Sequence, residues 1–479
     1  MRTSPGCCSL GVAVVACAFI TDALALGARS FFPVVLETWE EEFGWSRSRV
    51  SGARALMYAA QGVVTPIAGH YMDIMDARSA LAGGLAYLST TLLLTSFIAH
   101  DWQMWLVFGV MGGTAFGCLN LNVFAAAITR YVEPRHRGAA TGIATSGSTF
   151  GQLLLVPLFA LLVSRSDANG WRRGYQIAAA AAAAMAFASH RVLAPQLQAE
   201  AKAGAPAAAA AAAAVAPGAA SPPTAPSAPQ KLRVLLRSRD YWALGLAFFI
   251  CGVTTTGFIE SHIVALCTHR GHSTTDGALV FGVISALNGI GMIGAGWLSD
   301  RYSRTALLAA IYAGRALAYV ALRFGASSRA ELLLFAVLFG LVDYSVVPPT
   351  VSLVETHFGA NVVGLGVGVL LLWHSLGASL GAWWGGASFD ERGDYRAVLL
   401  TAVLLCCVAA VLVLTIPEPW RREHATADDA ADGATATAPK SATVGAQRAA
   451  RVEGGSAATE TAVVVVRADA LERALSGDA

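Results

Sequence analysis

Long apolar blocks separated by short polar turns set the pattern of this chain. A helix needs about 20 mostly apolar residues to cross the hydrocarbon core of a bilayer. Stretches of that kind fall at 10–36, 51–72, 79–99, 102–128, 138–163 and 173–192. Six more follow a central gap, at 241–267, 277–298, 305–323, 331–354, 361–388 and 395–416. The pattern predicts an all-α membrane protein with twelve transmembrane helices in two similar six-helix bundles, 1–192 and 241–417. The gap, 193–240, is predicted to be a cytoplasmic Ala/Pro-rich linker: its run Ala207–Ala214 imitates a span, but the prolines around it oppose a helix. The tail, 418–479, is low in complexity and rich in Ala, Thr and charge. It is expected to be disordered in the cytoplasm, apart from a short helix near Ala468–Leu475.

Composition removes the soluble alternative. Of the 479 residues 13% are charged and 55% hydrophobic, where a soluble domain carries roughly 25% charged residues. A formal net charge of +2 with no basic stripe argues against nucleic acid as a partner. The eight cysteines lie mostly inside apolar runs and lack the paired spacing of zinc or redox sites. Arg2, the apolar run Leu10–Ile20 and Ala23-Leu24-Ala25 imitate a secretory signal. Hydrophobicity continues to Leu36, however, and cleavage would leave an odd number of helices, so the segment is assigned to the first span. Lys202, Lys231, Arg233, Arg237 and Arg239 in the linker, with Arg130, Arg135 and Arg137, outweigh Arg47, Arg49, Arg172 and Arg173 on the other side. That bias favours both termini in the cytoplasm, with the inner membrane as the expected location.

One loop occurs twice. Gly69-His70-Tyr71-Met72-Asp73, followed by Arg78, comes after the second span. Gly296-Trp297-Leu298-Ser299-Asp300-Arg301-Tyr302-Ser303-Arg304 comes after the eighth. In each, a glycine that permits close helix approach stands four residues before an aspartate at a helix end, with arginine beyond. Gly69, Asp73, Arg78, Gly296, Asp300, Arg301 and Arg304 are therefore candidates for a conformational latch. A loop duplicated between halves is the mark of parallel-repeat transporters. The pair resembles the signature of the major facilitator superfamily between helices two and three, repeated between eight and nine, although Ile74 and Asp76 stand where that family usually has Arg and Gly. The resemblance covers roughly residues 10–417.

Within that superfamily the chain is similar to the bacterial monocarboxylate-transporter and oxalate/formate group. The similarity rests on Glu42-Phe43-Gly44-Trp45-Ser46-Arg47, Phe248-Phe249-Ile250-Cys251-Gly252, Ile311-Tyr312-Ala313-Gly314-Arg315-Ala316, Val347-Pro348-Pro349-Thr350, and His374-Ser375-Leu376-Gly377 leading to Asp390 and Tyr395. It implies a secondary transporter moving a small organic anion, such as a monocarboxylate, with a proton, by alternating access in a monomer. The eighth span has no Arg and the eleventh no Lys, where characterised anion carriers of the group hold a substrate-binding cation. The alternative is a proton-coupled exporter of drugs or metabolites. Against it, Gly147-Ser148-Thr149-Phe150-Gly151 lacks the Gly-Pro pair of typical drug/proton antiporters. A membrane sensor would need a folded soluble domain, which the linker and tail do not offer.

Ionisable residues inside spans are costly and tend to face a cavity or a partner. Asp22 and Arg29 lie two turns apart on one helical face. Arg29 either grips a substrate carboxylate with its planar fork or forms an internal pair with Asp22. Glu260 and His262 sit toward the outer end of the seventh span, with Thr254, Thr255 and Thr256 one turn deeper. Each is a proton group or a wet residue at the mouth, and Glu260 is the stronger candidate. Asp343 is a proton site or the partner of Arg315. Asp343, Glu260 and Asp22 are the proton-coupling candidates; Arg29, Asn120, Gln152 and His374 are the substrate-binding candidates. Arg54, near the end of the second span, is expected to snorkel to the interface. Gly109, Gly113 and Gly117, and Gly377, Gly381 and Gly385, recur every fourth residue, the spacing of close helix packing. Gly289-Ile290-Gly291-Met292-Ile293-Gly294 matches a dinucleotide fingerprint by letter only, since it lies inside a span, and no Gly-Lys-Ser/Thr phosphate loop exists. No cofactor, metal or catalytic residue is expected.

Overall fold

The computed structural model describes residues 5–74, 77–119, 124, 128, 132–133, 136–165, 169–213, 228–325 and 328–418, with the backbone alone at 5–10, 69–74, 77, 138, 165, 194–213, 228 and 360–361. Every regular element among the described residues is helical, and these helices make twelve rods and one short separate helix. The first is Pro5–Arg29 and Phe32–Phe43, followed by Arg47–Ile74, Ala77–Thr95, 101–118, Arg137–Arg165 and Gly170–Ala213. The seventh comprises Arg239–Gly252, Val253–Ile259 and Glu260–His269. Thr274–Ser299 and Arg304–Phe324 come next, then the tenth rod in three pieces, Arg329–Asp343, Tyr344–Val346 and Val347–Phe358. Ala360–Arg392 and Arg396–Leu414 complete the set. Among the described residues, eight rods are long and apolar enough to cross a membrane: the first, the fifth, and the seventh to twelfth. The second carries Arg47, Arg49 and Arg54, and the third and sixth are built largely from Ala, Gly, Ser and Thr, which lowers their hydropathy.

The sixth rod departs from expectation. Its helix runs on through Pro195 and Pro206 to Ala213, where the sequence predicts a linker, and a separate short helix, Ala228–Arg237, precedes the seventh rod. Alanine has the highest helix propensity of all residues, and the runs between the prolines consist of little else.

The packing repeats under a shift of six rods. The first lies along the fifth and the seventh along the eleventh; the third packs on the sixth and the ninth on the twelfth; the second meets the fourth and the eighth meets the tenth. Between the halves the second lies along the eleventh and the fifth along the eighth. Small residues set these distances: a Cβ on Gly147 or Gly151 would strike the carbonyls of Phe19 or Ala23, and one on Gly377 or Gly381 those of Phe249 or Val253. Gly109, Gly113 and Gly117 all face the second rod.

The helical irregularities fall on every third rod. The first breaks at Ser30–Phe31, the fourth and seventh carry π-helical turns at Met104–Met111 and Val253–Ile259, and the tenth tightens to a 3-10 turn at Tyr344–Val346. Irregular backbone within a membrane is tolerated where it is buried in protein or lines a cavity, and π-turns in particular mark functional sites. Gly151→Ala is expected to destabilise the protein by about 1–3 kcal/mol through overpacking. Gly294→Ala, where the added methyl meets open space, is expected to be neutral or stabilising. Thermal unfolding of both variants in detergent checks this.

Candidate functional site

The breaks gather the ionisable residues. Arg29 is the last residue before the break in the first rod, and Glu260 follows the π-turn of the seventh. Arg29 Nη2 donates to Glu260 Oε2 at 3.0 Å, an ion pair that joins the two halves with both side chains under 10% exposed. The other Glu260 oxygen accepts from Thr256 Oγ1 (3.0 Å) and Tyr344 OH (2.9 Å), so the tenth rod reaches the same carboxylate. Tyr58 OH donates to the Thr256 carbonyl at 3.0 Å and so ties the second rod to the seventh.

A second buried cation stands beside this pair. Pro33 has no N–H, so the carbonyl of Arg29, four residues earlier, loses its helical donor. Arg54 supplies one, with Nη1 2.7 Å from the Arg29 oxygen. Arg54 is fully buried, far from the interfacial snorkel expected for it, and its Nε and Nη2 have no acceptor among the described residues. Both guanidinium groups lie against the Tyr58 ring, at 4.6 Å for Arg54 and 5.8 Å for Arg29. Of the two cations it is Arg29 that bonds the Glu260 carboxylate, so the pair and Arg54 together carry a single positive charge in excess.

The other half also sets a buried arginine on backbone carbonyls at a helix break. Arg315 donates through Nη2 to the carbonyls of Val342 (3.0 Å) and Asp343 (2.7 Å), at the break that precedes Pro348 and Pro349. It therefore caps backbone rather than pairing with the Asp343 carboxylate, which accepts from Asn288 Nδ2 at 3.0 Å. Asp22 accepts from the Ser148 backbone N–H at 2.7 Å, fastening the first rod to the fifth; no hydrogen bond links it to Arg29. Gln152 Nε2 donates to Ser30 Oγ at 3.0 Å, inside the break of the first rod. His374 is partly buried, its ring against Phe248, and its backbone is packed on Gly252. Asn120 lies outside the described residues.

Of the latch candidates, Gly69 and Asp73 lie where side chains are outside the described set. Arg78 bonds to the His190 ring of the sixth rod. Gly296 faces Pro348 of the tenth rod, Asp300 ends the eighth, and Arg301 stacks on Trp297. Arg304 donates to Thr356 Oγ1 and, through its backbone, to Glu418, each at 2.7 Å. These contacts lie within one half.

Hydrogen bonds between the halves, among the described residues, occupy the centre and one end only, the end where rods one and two, seven and eight, and eleven and twelve connect. There Arg47 holds both Glu40 oxygens at 2.7 Å, donates to Tyr395 OH at 2.9 Å and lies 3.8 Å from the Phe389 ring centre. The backbone N–H groups of Arg47 and Ser48 donate to Asp390 at 3.0 and 2.7 Å, so a carboxylate from one half caps a helix of the other. Thr268 Oγ1 donates to Glu37 at 2.6 Å across the same boundary. His262, whose position suggested a wet mouth, is fully buried between Tyr395 OH (3.2 Å) and the Ala382 carbonyl (2.9 Å). Sequence reasoning gave Arg47, Asp390 and Tyr395 no role; their signal was their presence in motifs at distant points of the chain.

Two rod sextets joined through buried charge define a polytopic membrane transporter fold. Residues 17–382 match the family model of the Major Facilitator Superfamily, with a second match over 290–466, and the chain belongs to that superfamily. It is 25% identical over 411 residues to the uncharacterized MFS-type transporter YcxA of Bacillus subtilis, covering 82% of this chain and 93% of that protein. It is 24% identical over 422 residues to monocarboxylate transporter 13 of Rattus norvegicus, covering 87% and 91%. Among solved structures it is similar in fold to the nucleoside transporter NupG, with TM-score 0.64 and 11% identity over 85% of this chain and 98% of that one. A bacterial homolog of the human lysosomal transporter Spinster, in an inward-facing and unoccupied conformation, gives 0.61 and 17% over 87% and 95%.

Removing the Asp390 carboxylate leaves the first turn of the second rod with the 3.4 Å bond from the Arg49 N–H to Ser46 Oγ as its side-chain cap, a loss of about 1–2 kcal/mol. In Asp390→Ala, amide hydrogen exchange at residues 47–50 is expected to quicken by about tenfold, with exchange at the Arg29–Glu260 level unchanged.

Proposed function

We propose that this transporter carries a small organic anion, a monocarboxylate, together with a proton, by alternating access across the inner membrane with both termini in the cytoplasm. The observation that carries the reading is the Arg29–Glu260 pair with Arg54 unmatched beside it. A substrate carboxylate has the same chemistry as the Glu260 side chain and competes with it for the Arg29 fork. When substrate takes Arg29, Glu260 loses its counter-ion inside an apolar interior and binds a proton, as a buried carboxyl without a partner does. The protonated group keeps Thr256 and Tyr344 as neighbours. One anion and one proton enter together, so the single excess positive charge of the centre is the same loaded and empty. Asp22 and Asp343, which are engaged with Ser148 and Asn288, hold helices in place on this reading.

The Arg47–Asp390–Tyr395 cluster supports a closed outer gate, and the name of the Rattus norvegicus relative agrees with the substrate class. The test is uptake of labelled small carboxylates into proteoliposomes under an imposed inward proton gradient, beside a panel of organic cations. A carboxylate is expected to accumulate and a protonophore to abolish the accumulation. Arg29→Lys, which offers a point charge in place of a fork, is expected to lose most uptake. Glu260→Gln is expected to lose proton-driven accumulation while still exchanging labelled for unlabelled substrate. Unaltered accumulation by Arg29→Lys would remove Arg29 from the site; a response to organic cations alone, or by efflux, would favour the exporter.

A further inference from the structure

Away from the central pair, a cavity of about 550 Å³ opens between the ends of the seventh, ninth and twelfth rods, at the same end of the molecule as the Arg47 cluster. Its lining includes Arg270, Arg323 and Arg396, with His269, against one carboxylate, Asp394. Arg396 is 3.5 Å from Asp394 and 73% exposed. Arg270 spends one nitrogen, Nη1, on the carbonyls of Leu322 (2.6 Å) and Gly325 (3.0 Å), which fixes the guanidinium in the wall. Neither Arg270 nor Arg323 has a carboxylate partner among the described residues, and Arg323 rests over the Phe324 ring at 5.2 Å. Burial, and with it the charges of Arg323 and Arg396, holds the Arg270 guanidinium below its usual range. Three guanidinium groups facing one carboxylate leave a local excess of about two positive charges, which calls for an anion.

The apolar surroundings say which kind. Phe324, at the cavity's edge, is 78% exposed. Leading away from it, Leu317 and Val320 on the ninth rod and Leu400 and Leu404 on the twelfth are also exposed, and these two rods pack on each other. Cationic donors at a rod end above a continuous apolar face match a molecule with a phosphate head and acyl tails. The Arg fork suits phosphate oxygens.

We infer that this cavity binds the headgroup of an anionic glycerophospholipid, with Arg270, Arg323 and Arg396 on the phosphate and the acyl chains along the ninth and twelfth rods. With both termini inside, the lipid belongs to the outer leaflet. It touches the outer cluster through Tyr395, which lines the cavity and accepts from Arg47. The lipid would therefore favour the closed outer end.

The test is native mass spectrometry of the full chain in detergent, titrated with phosphatidylglycerol, phosphatidylcholine or inorganic phosphate. A single tightly retained phosphatidylglycerol is expected, with phosphatidylcholine at least about tenfold weaker, because its choline cation cancels the charge that the arginines attract. Arg323→Gln and Arg396→Gln are each expected to weaken phosphatidylglycerol by a similar factor, and millimolar phosphate to leave it bound. Thermal unfolding of the unmodified protein gives a readout free of variants: phosphatidylglycerol is expected to raise the midpoint more than phosphatidylcholine. Equal retention of the two lipids, or retention unchanged in both variants, overturns the inference. Displacement by inorganic phosphate also overturns it, in favour of a soluble-anion site.

Discussion

A charge inside an apolar helix bundle must find an opposite charge or a proton, and the centre of this molecule is arranged around that constraint. Removing one member of a buried ion pair typically costs about 3–5 kcal/mol, so Arg29 and Glu260 are bound to each other unless something replaces one of them. They also come from different halves, the first rod and the seventh. Whatever competes for Arg29 therefore acts on the contact between the halves, which is how binding at one point can bear on the relation of two six-rod units.

The backbone around the pair is built to hold it. Pro33 opens the carbonyl ladder of the first rod next to Arg29, and the prolines at 348 and 349 follow a break in the tenth next to Asp343 and Tyr344. In each half a buried arginine from a neighbouring rod, Arg54 or Arg315, donates to backbone carbonyls at the break. The two arginines are not equivalent in their surroundings. Arg54 adds its charge to the Arg29–Glu260 centre, whereas Arg315 stands beside Asp343, itself bonded to Asn288.

Much of this architecture could be read from the chain. Long apolar runs fix where helices lie, because a bilayer allows few other backbones. The glycine stripes showed which faces approach closely, and Gly113, Gly117, Gly377 and Gly381 all do so. Partners were harder. Spacing along one helix pointed Arg29 at Asp22, but Asp22 accepts from Ser148, and the carboxylate that Arg29 bonds lies 231 residues away. Arg54 resembled an interfacial residue because it is close to the start of its helix, and only the fold reveals the freed carbonyl beside it. Asp390 capping the second rod was equally hidden, since a cap supplied from the far end of the chain leaves no local signature. The extension of the sixth rod to Ala213 shows alanine propensity prevailing over scattered prolines.

The proposed exchange of Glu260 for a substrate carboxylate makes a thermodynamic demand that can be met or failed without any membrane gradient. Calorimetric titration of a small carboxylate into the detergent-solubilised protein, repeated near neutral pH in buffers of different ionisation enthalpy, counts the protons taken up on binding. The account expects close to one proton per carboxylate bound, and none in Glu260→Gln. Binding with no proton uptake in the unmodified protein, or with the same uptake after Glu260 is replaced, would contradict it.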